Sequence, residues 1–304
     1  MKKSKIFKLL TSILLSTSLI LGTSMSALAN QTLEEPSNTL LEEVTKLNDE
    51  GWNELISEID PNQKPQTKDV YFKVIEDPEN PHIETKEYTP IEYLAETHKN
   101  PRFIDPTTNW LHISYELYSI YGDNFSVLAG FQWQKNPNFQ FDDMFLVGSD
   151  SNSVLPGSNT RVNFTYYPNP SVSMYTTYNS MDHRSQFKFE GGAVGADFNI
   201  VPSELNSQID ALPNKDSYFY KDRTNDRYLT KGNPKGVLGF TAKFAASTTK
   251  HTNIGFTYGH KRAVIGDANI SVSSNGAPVL GGQASIGYDQ APTSVNFTRG
   301  SFIP

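Results

Sequence analysis

The fold is decided by residues Trp110–Trp133, WLHISYELYSIYGDNFSVLAGFQW. Apolar side chains occupy alternate positions in both halves: Leu111, Ile113, Tyr115, Leu117 and Tyr121 first, then Val127, Ala129, Phe131 and Trp133. A period of two residues is that of a β-strand with one buried face. Gly122-Asp123-Asn124 stands between the halves and favours a turn. The stretch therefore predicts a long β-hairpin.

The same period recurs towards the C-terminus. Further predicted strands are Arg161–Tyr167, Val172–Tyr178, Gln186–Glu190, Val237–Ala246, Asn253–Tyr258, Asn269–Ser273, Gln283–Tyr288 and Ser294–Arg299. A polar, irregular insertion at about 203–235 interrupts them, and segments of this kind are often functional. About ten short strands with few helices predict a mainly β domain over residues 101–304, an antiparallel β-sandwich or a barrel-like domain.

Residues 30–100 have a different pattern. Apolar residues recur at three- and four-residue spacing between Gln31 and Asp60, which predicts amphipathic helix with a break at Gly51. A strand is predicted at Val70–Ile75. Thr89-Pro90-Ile91-Glu92 has the residues of a capping box, which predicts a short helix after Thr89. We expect a short acidic helical segment that acts as a spacer, a cap or a pro-segment.

The first 29 residues have the three parts of a bacterial-type signal peptide. Lysines at positions 2, 3, 5 and 8 precede an apolar run from Leu9 to about Met25, and Ala27-Leu28-Ala29 provides a small-residue cleavage site. Cleavage is expected after about Ala29, which predicts a secreted, extracellular protein. The chain has no cysteine, so its core would have to hold the fold without disulfides.

The charge is unevenly distributed. Residues 31–99 carry 17 acidic and 6 basic side chains, a net charge of −11, whereas residues 100–304 carry 16 of each. Nucleic-acid binding requires a surplus of Lys and Arg, so we expect no nucleic-acid partner.

Motifs that carry catalysis are missing from the sequence. It contains no Gly-x-Ser-x-Gly, no His-Glu-x-x-His and no phosphate-binding loop, and its six histidines lie far apart. The adjacent acids Asp142 and Asp143 would point to opposite faces of an extended chain, and we expect them in a solvated loop. No cofactor and no metal are expected. We expect a protein without catalytic activity, although a hydrolase assembled from distant strands stays open.

Aromatic residues beside Asn, Gln and Pro are the best candidates for ligand contacts. Such rings can stack on a sugar or a lipid head group while the neighbouring amides hydrogen-bond to it. The candidate ligand-binding residues are Trp133, Tyr166, Tyr167, Tyr218 and Tyr220. For Trp133 the alternative is a place in the core. The expected function is a secreted or wall-associated binding protein, with a glycan, cell-wall polymer, protein or membrane lipid as partner and an oligomeric state left open.

A second function is suggested by Val237–Tyr258, where about nine alternating residues stand on each side of a polar tip. This pattern is typical of a membrane-inserting hairpin as well as of a soluble one. The membrane-facing candidates are Leu238, Phe240, Phe244, Ile254 and Phe256. An exported, cysteine-free, β-rich chain of this length is similar in plan to secreted β-pore-forming toxins, and that resemblance implies a membrane-active protein.

Overall fold

The computed structural model describes residues 39–77, 82–98, 107–137, 142–199, 203–223, 226–261, 268–282 and 288–299. The helices are α1 (Leu40–Thr45), α2 (Glu50–Ser57), α3 (Pro90–His98), α4 (Asn206–Asp210) and α5 (Lys215–Tyr218). Among the described residues, no helix has the length and apolarity that a membrane crossing requires.

The first sheet has eight antiparallel strands: β1 (Gln66–Ile75), β2 (His82–Ile83), β3 (Thr108–Ser119), β4 (Asn124–Trp133), β6 (Ser153–Val154), β7 (Asn163–Asn169), β8 (Met174–Asn179) and β13 (Lys235–Phe244). Their order is β2-β1-β3-β4-β13-β7-β8, and β6 pairs with β13. The second sheet has the order β17-β14-β5-β10-β9. Its strands are β5 (Asp142–Ser149), β9 (Phe187–Glu190), β10 (Ala193–Asn199), β14 (His251–Lys261) and β17 (Tyr288–Thr298).

The two sheets pack face to face as an antiparallel β-sandwich, which confirms the predicted fold class. The inward residues of β3 and β4 contact those of β5 and β14. The rings of Tyr115 and Phe256 stack with centroids 4.2 Å apart, and Phe131 meets Phe145 edge-on at 5.2 Å. These rings are largely or wholly buried. A continuous aromatic and aliphatic core therefore fills the space between the sheets.

The predicted hairpin at Trp110–Trp133 is confirmed as β3 and β4. Their register pairs Leu111 with Trp133 and Ser119 with Phe125. Gly122 lies in the turn with φ +75°, a left-handed conformation that glycine adopts without strain. Strand β1 pairs with the other side of β3 over ten residues, from Gln66 opposite Leu117 to Ile75 opposite Thr108.

Helices α1 and α2 cover the outer face of the first sheet. Trp52 is fully buried there, with Leu128 and Val237 of the sheet. A Cβ on Gly239 would overlap the Trp52 ring, and a Cβ on Gly130 would lie 2.8 Å from Leu40 Cδ2. The strand glycines thus form sockets for side chains of the helices.

Residues 31–38 of the predicted helical stretch Gln31–Asp60 lie outside the described residues; from residue 39 onward the stretch contains two helices, α1 and α2, but the break between them is not at Gly51. Helix α1 ends at Thr45, Asn48 has a positive φ of 50°, and Asp49 caps α2 by accepting hydrogen bonds from Gly51 N and Trp52 N. Gly51 therefore lies within the first turn of α2.

The capping box is confirmed at the start of α3. The backbone N–H of Thr89 donates to Glu92 Oε2 at 2.8 Å, and Glu92 N donates to Thr89 Oγ1 at 3.3 Å. The hydrogen bonds that the Thr89 N–H and the Thr89 hydroxyl donate to the Glu92 carboxylate hold the pKa of that carboxyl below its usual value.

The predicted hairpin at Val237–Tyr258 is wrong. Strands β13 and β14 do not pair with each other, because β13 pairs with β4 and β7 whereas β14 pairs with β5 and β17. The chain crosses from one sheet to the other between them. Both strands alternate because each buries one face in the sandwich, so the pattern reports burial and not pairing.

Two smaller sheets lie outside the sandwich. Strands β11 (Phe219–Asp222) and β12 (Arg227–Thr230) form a hairpin within the predicted insertion, and β15 (Ala268–Val272) pairs with β16 (Pro278–Gly282). The predicted strand Asn269–Ser273 corresponds to β15. The prediction at Gln283–Tyr288 lies outside the described residues except for Tyr288, which begins β17.

Candidate functional site

Two tyrosines stand together on neighbouring strands at the edge of the first sheet. Tyr167 is half-buried on β7, and Tyr175 is 40% exposed on β8, the last strand of that sheet. Their ring centroids are 5.3 Å apart. The register between these strands is irregular between Tyr166 and Asn169. This irregularity accompanies the placement of Tyr167 beside Tyr175.

Lys235 completes this surface, which we call the tyrosine–lysine face (Tyr167, Tyr175 and Lys235). It lies opposite Tyr167 in the β13–β7 register, and its Nζ is 4.7 Å from the centre of the Tyr167 ring. The same Nζ is 2.8 Å from Glu43 Oε1 on α1. Burial and the nearby Glu43 carboxylate raise the pKa of Tyr167, so its hydroxyl keeps its proton at neutral pH. The face offers an aromatic surface beside a cation.

Tyr218 and Tyr220 belong to the insertion and are 37% and 43% exposed. Beneath them the insertion has its own small core: Leu205, Ile209, Phe219 and Tyr228, packed with Val172, Met174 and Leu212. This core joins the insertion to the start of β8. Lys231 Nζ is 5.9 Å from the Tyr220 ring. In the described part of the chain, no ring contact links Tyr218 or Tyr220 to Tyr167 or Tyr175.

Trp133 and Tyr166 are fully buried between the sheets. Trp133 Nε1 donates a hydrogen bond to the hydroxyl of Tyr258 at 2.9 Å. Tyr166 packs against Phe198, with ring centroids 5.0 Å apart. Both side chains belong to the core in this conformation, and neither reaches the tyrosine–lysine face. Of the five sequence-derived candidates, Tyr167, Tyr218 and Tyr220 are the ones that solvent reaches.

The five residues predicted to face a membrane are also buried. Leu238, Ile254 and Phe256 are fully buried, and Phe240 and Phe244 are 1% and 2% exposed. All five belong to the core cluster between the sheets.

Asp143 occupies the centre of a buried polar network, so its expected place in a solvated loop is wrong. It lies on β5, points inward and is fully buried, whereas Asp142 is exposed. The two oxygens of Asp143 are 3.0 and 3.1 Å from His260 Nδ1, and the Tyr258 hydroxyl donates to Oδ2. Burial opposes the charged form of His260, but the attraction of Asp143 outweighs it and raises the pKa of the imidazole.

This network was missed because β5 does not alternate. Met144, Phe145, Leu146 and Val147 form a continuous apolar run that is buried on both faces. The inward face meets the core, while the outer face is covered by Ile270 and Val272 of β15. A run of four apolar residues after two acids is the signal that could have located a central strand.

An open pocket of about 450 Å³ lies at one end of the sandwich. It is bounded by the loop after β5 and by the β9–β10 turn, where Gly191 and Gly192 both have positive φ. Asp150, on its wall, accepts hydrogen bonds from the backbone and the amide of Asn253 and from Thr252 Oγ1. Through these hydrogen bonds Asp150 holds the loop after β5 against the start of β14. No group of acidic or histidine side chains in the described residues is arranged to hold a metal ion.

No protein-family model matches the chain, and no curated protein sequence is similar to it. Two solved structures are similar in part. The collagen-binding domain from a Staphylococcus aureus adhesin is 7% identical, with a TM-score of 0.24, and the match covers 57% of this chain and 87% of that one. The collagen-binding domain of the Erysipelothrix rhusiopathiae surface protein RspB is 5% identical, with a TM-score of 0.29 and coverages of 62% and 65%. Similarity at this level indicates neither a family nor a ligand for this chain.

Proposed function

We propose that this chain is a secreted or wall-associated binding protein without catalytic activity, and that the tyrosine–lysine face contacts its ligand. The observation that carries the proposal is the exposed ring of Tyr175 beside Tyr167, with Lys235 Nζ 4.7 Å from the Tyr167 ring. Tyrosine rings give a large contact area at low cost in side-chain entropy, and an ammonium group adds hydrogen bonds to carbonyl or hydroxyl oxygens. The expected ligand is a partner protein or an extracellular polymer.

The test is binding of the full chain to purified extracellular proteins, wall polymers and glycans, compared between two single variants. Tyr175→Ala should weaken binding at least about tenfold, as for a tyrosine at an interface centre. Tyr121→Ala is the matched control, because Tyr121 is 87% exposed in the β3–β4 turn, towards the opposite end of β4 from the Gln132–Lys235 pair. Wild-type binding by Tyr175→Ala, or turnover of a ligand by the chain, would refute the proposal.

A second candidate function is membrane insertion through the β15–β16 hairpin. These strands hydrogen-bond to each other and belong to neither main sheet. The hairpin rests on two strand glycines: a Cβ on Gly148 would lie 2.6 Å from Gly276 O, and a Cβ on Gly255 would overlap the backbone of Ala277. No charged residue occurs between Asp267 and Asp289. The hairpin, whose two strands have five residues each, could leave the sandwich without breaking the hydrogen-bond ladders of the main sheets.

A disulfide tether tests this second candidate. The chain has no cysteine, and Thr257 Oγ1 donates to Pro278 O at 2.6 Å, so residues 257 and 278 are neighbours. A disulfide between Thr257→Cys and Pro278→Cys, once mass spectrometry shows that it has formed, would hold the hairpin on β14. Dye leakage from liposomes should be blocked in the oxidised variant and restored by reduction. If the wild-type chain releases no dye from liposomes of several lipid compositions, the candidate fails.

A further inference from the structure

A cleft of about 150 Å³ lies between α2 and strands β7 and β13, on the outer side of the first sheet. Its walls include Gly51, Glu54, Glu58, Arg161, Asn163 and Thr241. The volume is below the roughly 300 Å³ at which pockets for whole small molecules begin, so the cleft fits a single side-chain group. It is separate from the tyrosine–lysine face.

The floor of the cleft contains a buried acceptor without a donor. Asn163 is 2% exposed, and its Nδ2 donates to Gly51 O at 2.9 Å. Its Oδ1 is buried and accepts no hydrogen bond from the described residues. An unsatisfied buried carbonyl costs about 1–3 kcal/mol, so a donor from outside the chain is favoured there.

Gly51 packs against this oxygen. A Cβ at that position would overlap Asn163 Oδ1. The Asn163 oxygen occupies the space that a side chain at position 51 would fill, so a larger residue there would displace the Asn163 amide. The unsatisfied oxygen belongs to a residue that lines the cleft, so a hydrogen-bond donor bound in the cleft is the group that could satisfy it.

Two carboxylates stand beside the cleft one helical turn apart. The side chain of Glu54 is 65% exposed, and its Oε2 is 3.3 Å from Arg161 Nε. Glu58 Oε2 accepts a hydrogen bond from Thr241 Oγ1 at 2.8 Å, and Glu58 is exposed. The contact with Arg161 shows that the Glu54 carboxylate can pair with a guanidinium group. The net charge of −11 over residues 31–99 adds a long-range attraction for cations.

We propose that this cleft binds the guanidinium or ammonium group of a basic side chain on a protein partner. Such a group supplies the missing donor to Asn163 Oδ1 and neutralises Glu54 and Glu58. Arg161 is an intramolecular competitor for the same carboxylate. The inference goes beyond the proposed function, since it concerns a different surface and does not depend on the tyrosine–lysine face.

The test is a titration of the full chain with N-acetylarginine amide, followed through the Asn163 side-chain amide signal by NMR. N-acetylglutamine amide is the neutral control, since it carries donors without charge. The arginine derivative should give a saturable shift, and the glutamine derivative none. Equal shifts with both would show an unselective acceptor, and no shift with either would show a cleft that holds only water. Both results would overturn the proposal.

Matched variants separate the parts of the site. Glu54→Gln with Glu58→Gln should weaken arginine binding about fivefold at low salt, the effect of two partly exposed charges. Glu50→Gln removes a charge from α2 outside the cleft and should leave binding unchanged. Arg161→Gln should tighten binding about threefold, because it removes the internal competitor. Tyr175→Ala should bind the arginine derivative with the affinity of the wild type, even if it loses binding to the ligand of the tyrosine–lysine face.

Discussion

The indole nitrogen of Trp133 donates a hydrogen bond to the hydroxyl oxygen of Tyr258 at 2.9 Å, and this bond joins the two sheets of the sandwich. The same hydroxyl donates to the buried carboxylate of Asp143. The Tyr258 hydroxyl therefore accepts a hydrogen bond from Trp133 of the first sheet and donates one to Asp143 of its own, second sheet. A polar link of this kind inside an apolar core fixes how the sheets are aligned, because any shift leaves buried groups unpaired.

Tyr258→Phe should reduce the free energy of unfolding by about 1–3 kcal/mol, because it leaves Trp133 Nε1 without its acceptor and removes the hydrogen bond that the hydroxyl donates to Asp143. Tyr115→Phe is the matched control. Tyr115 is 1% exposed, and its hydroxyl has no hydrogen-bond partner among the described residues, so its removal should be neutral or stabilising. Urea denaturation of both variants measures the difference. Equal losses would show that the network contributes nothing.

The stability of the fold should depend on the ionisation of His260. The titratable groups that face it are Asp143 on β5, Tyr258 on β14, Asp289 on β17 and Glu76 after β1, and the Trp133 ring packs against it. Because its folded-state pKa is above the unfolded value of about 6.5, its stabilising contribution is complete below about pH 6.5. The contribution is lost as the pH rises through the folded-state pKa.

The unfolding free energy of His260→Gln should therefore decrease less than that of the wild type when the pH is raised from slightly acidic to alkaline values. Each unit by which the folded pKa exceeds the unfolded one corresponds to about 1.4 kcal/mol of pH-dependent stability. His251→Gln is the control, since His251 is exposed at the start of the same strand. Urea unfolding at several pH values compares the three proteins. A His260→Gln variant with the wild-type pH profile would contradict the assignment.

Gly239→Ala should destabilise the protein by about 1–3 kcal/mol, because the added methyl group overlaps the ring of Trp52. Gly157→Ala is a suitable control: a Cβ at Gly157 has no neighbour within 4 Å. Thermal unfolding measures both changes.

A double-mutant cycle that combines Gly239→Ala with Trp52→Ala then measures the energetic coupling between position 239 and the Trp52 ring. Removing the Trp52 side chain should cost about 3–5 kcal/mol by itself. In that background Gly239→Ala should cost much less, since the overlap no longer exists. Additive costs would show that the glycine has another role.

The strands that alternate cleanly were predictable, since β3 and β4 each have one face towards the core and the turn between them contains glycine. The same logic failed for β13 and β14. Period two reports which face of a strand is buried, and that information is identical whether two consecutive strands pair or lie in opposite sheets. Only the register with β4 and β5 distinguishes these cases.

The candidate site was predictable only in part. Tyr167 follows from its position beside Pro168 and Asn169 at a strand end. Tyr175 joins it through the irregular register between the consecutive strands β7 and β8, and Lys235 through the pairing of β7 with β13, which is far away in sequence. The Asp143–His260 contact joins residues 117 positions apart, and nothing in either local sequence indicates the other. Such contacts depend on the order in which all the strands pair, and the hydrophobic period of one strand does not determine that order.

Strand β1 has a consequence for how the chain can be processed. Its ten pairs with β3 shield a strand whose inward side chains are apolar. A protease that removed the chain up to about residue 100 would leave β3 as a bare edge, ready to recruit a strand from another molecule and start aggregation. A cut before Gln66 would spare that pairing. Helices α1 and α2 also cover the apolar outer face of the first sheet, so proteolytic maturation that keeps both the pairing and this cover has to cut before Leu40.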